Sequence, residues 1–171
     1  EAGHAVARMF TGLELSHLAS VSIIPTGDAF GSEISEHCSA EAMIGSYPKE
    51  MRQSAGRRLV ITLLAGRGAL ARFGGEDSRE YILHSNPHEW TLEGSDVYRA
   101  DRIAKIITGE HESSSRILEE AQEWTTEMME IPVVWQTVKR VAGKLVKDGA
   151  LKGDVVMDTC EKVIMMGGTL P

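Results

Sequence analysis

Residues 1–12 read "EAGHAVARMFTG", and how this segment is read decides how the rest of the chain is read. Ala5, Val6, Met9 and Phe10 recur at helical spacing, and Gly12 follows where a left-handed residue closes a helix, so the pattern predicts a short buried helix from Ala2 to Thr11. Ala2, Gly3, Ala5 and Val6 are small enough to let a sheet or a second helix pack tightly against it. The next segment, "ASVSIIPTGDAFGSEIS" (19–35), reads as a strand through Val21 and Ile23, a turn over Pro25, Thr26, Gly27 and Asp28, and a second short strand from Phe30.

Further along, Pro48 can open a long helix that ends at Gly74 and Gly75. Its apolar positions Met51, Ala55, Leu59, Leu63, Ala69, Leu70 and Phe73 keep roughly to one face. The interior "LLAGRGALARF" (63–73) carries Gly66 and Gly68, each of which costs about 1 kcal/mol relative to Ala in an exposed helix, so both are expected to admit the close approach of a neighbouring backbone. Residues from Glu76 to Gly94, including Asn86-Pro87, look like a long excursion, after which Ser95 or Asp96 caps a helix running to about Ile107. Beyond Gly109 the pattern is helical throughout: "SSSRILEEAQEWTTEMMEI" (113–131), a helix through Trp135, Val138, Val141 and Leu145, and a last one from Asp154 to about Met166. The fold class expected is mainly α with a small β-sheet or hairpin. Residues 1–109 would form a core and residues 110–171 a helical tail packed on it, as one structural domain overall.

Composition narrows the function. At 171 residues the chain can bury a substantial core without disulfides or structural metal. Its formal net charge of -7 argues against a nucleic-acid surface, because phosphate binding needs Lys and Arg in excess over carboxylates. Cys38 and Cys160 lie far apart and match no C-x-x-C spacing, which favours free thiols in a reducing, intracellular compartment. No stretch approaches the roughly 18 consecutive apolar residues of a membrane span, and no phosphate-binding G-x-x-x-x-G-K-[ST] occurs.

The chemistry worth testing lies in Glu1 and His4. They are spaced like the last two residues of H-E-x-x-H, which supplies two zinc ligands and a general base from one helical turn; its first His would sit directly before Glu1. E-x-x-H also arises by chance, and a His among apolar neighbours is more often a hydrogen-bonded core residue. A zinc site of this kind needs a third protein ligand and an open position for water. The candidates are Asp28, Asp96, Asp101, His17, His37, His84, His88 and His111. On spacing alone, Asp96 in "GSD" reads better as an N-cap than as a ligand. His84 and His88 in "HSNPH" straddle a proline and read as a solvated loop.

The chain resembles the peptidase domain of the FtsH family of ATP-dependent zinc metalloproteases. "EAGHAV" matches that family's H-E-A-G-H, and "VSIIPTGDAFG" (21–31) matches its strand of the form V-T-I-I-P-x-G-x-A-x-G. "LAGRGALARFGG" (64–75) is similar to its G-G-R-x-A-E-E-x-x-x-G helix, and "GSDVYRADRIAKII" (94–107) to the helix that brings in an Asp ligand. The resemblance implies zinc as cofactor, held by His4 and Asp96 with the preceding His, and Glu1 as general base on zinc-bound water. It implies an endopeptidase acting on unfolded polypeptide, with Gly31, Ser32, Glu33, Ile34 and Ser35 forming an edge to which extended substrate adds. It also implies an ATPase module upstream or in trans, hexameric rings, and a location in the cytoplasm or on the cytoplasmic face of a membrane. Two departures stand out: the family's paired acids are Leu70 and Ala71 here, and "HSNPHEW" (84–90) lengthens the approach to Asp96. They motivate the alternative of a catalytically inactive binding or assembly module that keeps the fold.

Overall fold

A computed structural model of the chain describes residues 1–12, 18–22, 32–35, 44, 47–84, 87–92, 94–108 and 113–166. Within them run α1 (Ala2–Thr11), β1 (Leu18–Ser22), β2 (Ser32–Ser35), α2 (Lys49–Gly74), α3 (Ser78–His84), a 3-10 turn (Pro87–Trp90), α4 (Asp96–Ile107), α5 (Ser114–Glu130), α6 (Pro132–Asp148), β3 (Ala150–Lys152) and α7 (Gly153–Met165). The protein is mainly α with one small sheet. No helix among the described residues is long and apolar enough to cross a membrane.

Helix boundaries follow the sequence signals closely. Gly12 ends α1 at φ 69 and Gly75 ends α2 at φ 73, both in the left-handed region that glycine enters without a Cβ penalty. Ser95 and Ser113 cap α4 and α5 by accepting hydrogen bonds from the Tyr98 and Arg116 amides, and Pro132 opens α6 where its missing N–H costs nothing.

The 26-residue α2 is the hub, and here the single-face expectation fails. Met51, Leu70 and Phe73 are exposed at 54, 56 and 81%, whereas Val60, Leu64, Ala65 and Ala71 join Ala55, Leu59 and Leu63 in the core. A helix packed by neighbours on several sides along its middle is apolar all round there, and one stripe cannot describe it. Gly66 and Gly68 admit side chains rather than the backbone expected, and Gly56 does the same. A Cβ at Gly56 would lie 2.5 Å from Ile107 Cγ2 of α4, and one at Gly68 would lie 2.6 Å from Thr125 Cγ2 of α5. The close backbone approach is made instead by Gly3 of α1, whose Cβ would run into the Ala65 carbonyl oxygen of α2.

Two apolar clusters lie on either side of this hub. The first joins α2, α3 and α4 to Ile117, Leu118 and Ala121 of α5; the second joins α1, Val21 and Ala65 to α5, α6, β3 and α7. Each fully buried Val, Leu or Ile contributes about 1.5–3 kcal/mol, so both clusters tie the segment beyond 110 to the segment before it. Cys160 is a free thiol buried in the second cluster, where desolvation first, and the nearby Glu161 charge second, push its pKa to about 11. Cys38 lies outside the described residues.

Two elements depart from the sequence reading. The excursion after Gly75 contains α3, because Ile82 and Leu83 are buried in the first cluster and the Leu83 carbonyl accepts a hydrogen bond from Trp90 Nε1 at 3.0 Å. The sheet has three strands in the order β2-β1-β3, all antiparallel neighbours: β3 pairs Leu151 with Val21, and β1 pairs Val21 with Glu33 of β2. A three-residue strand between α6 and α7 carries too little pattern to be read alone; it is defined by the partner it finds. The expected strand residues Ile23 and Phe30, and the turn from Pro25 to Asp28, lie outside the described residues.

Candidate metal centre

The site is assembled where α1, α2 and α4 meet. His4 sits on the buried face of α1, 9% exposed, among Ala5, Val6 and Ala7, which are fully buried. Its Nδ1 lies 2.8 Å from the Thr62 carbonyl oxygen of α2. A carbonyl only accepts, so Nδ1 carries the proton and the ring presents Nε2 to the other side. There Nε2 meets Asp96 Oδ2 at 3.1 Å. The side chain of His4 is 11% exposed and that of Asp96 34%, so the pair is sheltered on the helix side and open on the carboxylate side.

Asp96 is free for this contact because it is not the cap. Ser95 occupies the N-cap position, its hydroxyl 3.2 Å from the Tyr98 amide, and Asp96 is the first helical residue. The N-cap reading of Asp96 is therefore corrected: the neighbouring serine does that work, and the carboxylate turns toward His4. The approach is nevertheless favoured by α4, since the N-terminal turn of a helix stabilises negative charge.

The electrostatics are those of a sheltered ion pair. Burial disfavours the His4 imidazolium, but the charge and hydrogen bond of Asp96 outweigh it, and the pKa stands above its ordinary value. For Asp96 burial acts upward, the charge and hydrogen bond of His4 act downward, and the pKa ends below the usual carboxylate range. The raised imidazole stabilises the fold below about pH 6.5 and stops doing so as pH rises through its folded pKa. The depressed carboxylate contributes above about pH 4, and its contribution disappears as pH falls through its folded pKa. The melting temperature lost on Asp96→Asn should therefore be largest between about pH 4 and 6.5, and a difference flat across pH 4 to 8 would contradict this account.

Glu1 is half-buried at the N-cap of α1, with its carbonyl accepting from the Ala5 amide at 3.1 Å. It stands three residues before His4, one turn away on the same side of the helix. The other candidate ligands among the described residues do not gather. Asp101 pairs with Lys105 at 2.6 Å, while His84 at the end of α3 and His88 in the 3-10 turn are both exposed. Asp28, His17, His37 and His111 lie outside the described residues. Among the described residues no three His, Cys, Asp or Glu side chains come together as a metal-holding group. Leu70 is exposed and the adjacent Ala71 fully buried, so these two positions of α2 face different ways.

For the expected substrate edge, Ser32, Glu33, Ile34 and Ser35 form β2, an outer strand of the three, with one side paired to β1. Gly31 lies outside the described residues. What the sequence reading missed is the Thr62 carbonyl, a backbone group that no side-chain pattern signals. Compared with protein-family models and with curated proteins, the chain matches none.

Proposed function

We propose that this chain is the peptidase domain of a zinc-dependent endopeptidase, of the FtsH peptidase type, that hydrolyses peptide bonds in unfolded polypeptide. The observation that carries the reading is the pairing of His4 Nε2 with Asp96 at 3.1 Å while Nδ1 is tied to the Thr62 carbonyl. An imidazole nitrogen beside a carboxylate oxygen, with the far ring nitrogen donating to a carbonyl, is a donor set suited to zinc. His4 and Asp96 would hold the metal together with a His directly before Glu1. When bound, zinc supplies a Lewis acid that polarises the scissile carbonyl and acidifies water.

Each remaining role falls to the chain itself. Glu1 takes the proton of the attacking water and returns it to the leaving amine, so no covalent intermediate is required. The outer side of β2 receives extended substrate through backbone hydrogen bonds, which give affinity with little sequence preference. An ATPase module upstream or in trans, a hexameric ring and a cytoplasmic setting belong to the same proposal.

A second reading, an inactive binding or assembly module, draws on Leu70 and Ala71 standing in place of the paired acids. Cleavage assays separate the two. With zinc supplied and a His before Glu1, the domain should cut a permanently unfolded protein such as a casein and spare a tightly folded one of similar length, with or without ATP. Folded proteins are stable by about 5 to 15 kcal/mol and rarely expose extended segments. Proline at Ser32 or Ile34 removes a backbone donor and should lower cleavage while zinc binding persists. No cleavage of the unfolded protein would favour the inactive module.

A further inference from the structure

We propose that Gly66 is a positioning residue for His4: the space left by its missing side chain is the slot that holds the imidazole between Thr62 and Asp96. The functional weight of this inference rests on the zinc reading above, but its geometry does not. A Cβ at Gly66 would fall on His4 Nε2, the nitrogen that faces Asp96, and would lie 2.6 Å from Cε1 and 2.9 Å from Cδ2. All three nearest atoms belong to the ring, and none to backbone.

The slot and the anchor are one unit. Thr62 and Gly66 are four residues apart in α2, hence one turn apart on the same face of the helix. The first offers its carbonyl to Nδ1 at 2.8 Å, and the second leaves room for the opposite edge of the ring. Asp96 then closes on Nε2 from α4. Ring orientation is thus fixed from three directions, and the helical price of a glycine in mid-helix finds its reason there.

The contrast with Gly3 and Gly68 sharpens the assignment. At Gly3 a Cβ would meet the Ala65 carbonyl, so it governs how closely α1 and α2 approach. At Gly68 a Cβ would meet Thr125 Cγ2 at 2.6 Å, a packing contact with α5. Of these three, only Gly66 would bring a Cβ against the His4 ring. The ring can yield by swinging about its side-chain bonds, but doing so breaks its contacts with Thr62 and Asp96. Gly66→Ala therefore displaces a ligand before it disrupts a fold.

The test is a thermal double-mutant cycle on the chain itself without zinc, using Gly66→Ala, His4→Ala and the double variant. In the His4 background Gly66→Ala should lower the melting temperature by about 2 to 12 °C, as overpacking does in a chain of this size. In the His4→Ala background it should be neutral or stabilising, because the slot is then empty and alanine favours the helix. An equal drop in both backgrounds overturns the inference. If Gly66→Ala alone fails to fold, a folded double variant supports it and an unfolded double variant overturns it.

Imidazole 15N shifts give the readout that packing alone would not move. The His4 signature should change in Gly66→Ala and stay put in Gly68→Ala; the reverse, or no change in either, counts against the slot. Zinc titration of the same variants carrying a His before Glu1 separates the two readings. Should the cycle and the shifts behave as expected while the protein carrying a His before Glu1, with Gly66 and His4 intact, takes up no zinc, the zinc reading fails and the positioning of His4 by Gly66 stands.

Discussion

Asp96→Ala is expected to reduce zinc affinity by at least about 100-fold in a protein carrying a His before Glu1, taking bound zinc from near one per chain to a small fraction. Loss of groups that only orient a ligand already costs about 10 to 100-fold, and Asp96 is proposed as a ligand itself. The fold should survive, because α4 keeps its Ser95 cap and Val97, Ala100, Ile103 and Ala104 keep their places in the core. Circular dichroism should therefore be unchanged while metal content, measured by elemental analysis after dialysis, falls. Zinc retained in full by Asp96→Ala would mean that the 3.1 Å contact with His4 is an ion pair and nothing more. His4→Ala should lose zinc as completely, whereas a chain offering His4 and Asp96 alone should hold the metal poorly, since two protein ligands fall short of the three such a site uses.

Why Asp96 was hard to read from the sequence, and Gly12 easy, comes down to range. Caps, terminal glycines and Pro132 act within a turn, so the limits of α1, α2, α4 and α6 follow from neighbours a few residues away. "GSD" offers two capping residues in a row, and local chemistry cannot say which one the helix uses; His4, ninety-two positions earlier, makes the difference by engaging the second. Gly66 was visible as a residue that a helix should not favour, but whether a backbone or a ring filled its space depends on how α1 lies across α2. β3 depends wholly on β1, and the Thr62 carbonyl has no side-chain signal at all. The exposure of Leu70 and Phe73 beside the burial of Ala71 likewise belongs to the packing around α2, since all three are apolar and lie within one turn of the same helix. The pair His4 and Asp96 thus came from a resemblance in motif, and the geometry supplies what the motif lacks: a distance, an anchor for Nδ1 and a direction of approach.

Glu1→Gln should abolish most cleavage while leaving zinc in place, the second large effect and the one that separates binding from chemistry. An amide is nearly isosteric with a carboxylate but cannot accept the proton of water, and a positioned general base contributes typically about 10²- to 10⁴-fold to a rate. The substitution should not loosen the helix, because the Glu1 side chain makes no capping bond in α1; the backbone carbonyl that serves Ala5 is untouched. The hydrogen bonds of His4 run to Thr62 and Asp96 and do not involve the Glu1 side chain, so zinc content and the His4 imidazole signature should match the unsubstituted protein. The measurement is turnover of an unfolded substrate at saturating zinc, with kcat expected to fall and KM to stay close to its starting value, since Glu1 acts on the proton in flight rather than on the bound peptide. Glu1→Asp tests placement separately: it keeps the base but withdraws it by one methylene, and an intermediate rate is expected. Turnover unaffected by Glu1→Gln would remove Glu1 from the reaction, and with it the reason for reading residues 1–4 as the end of a catalytic motif.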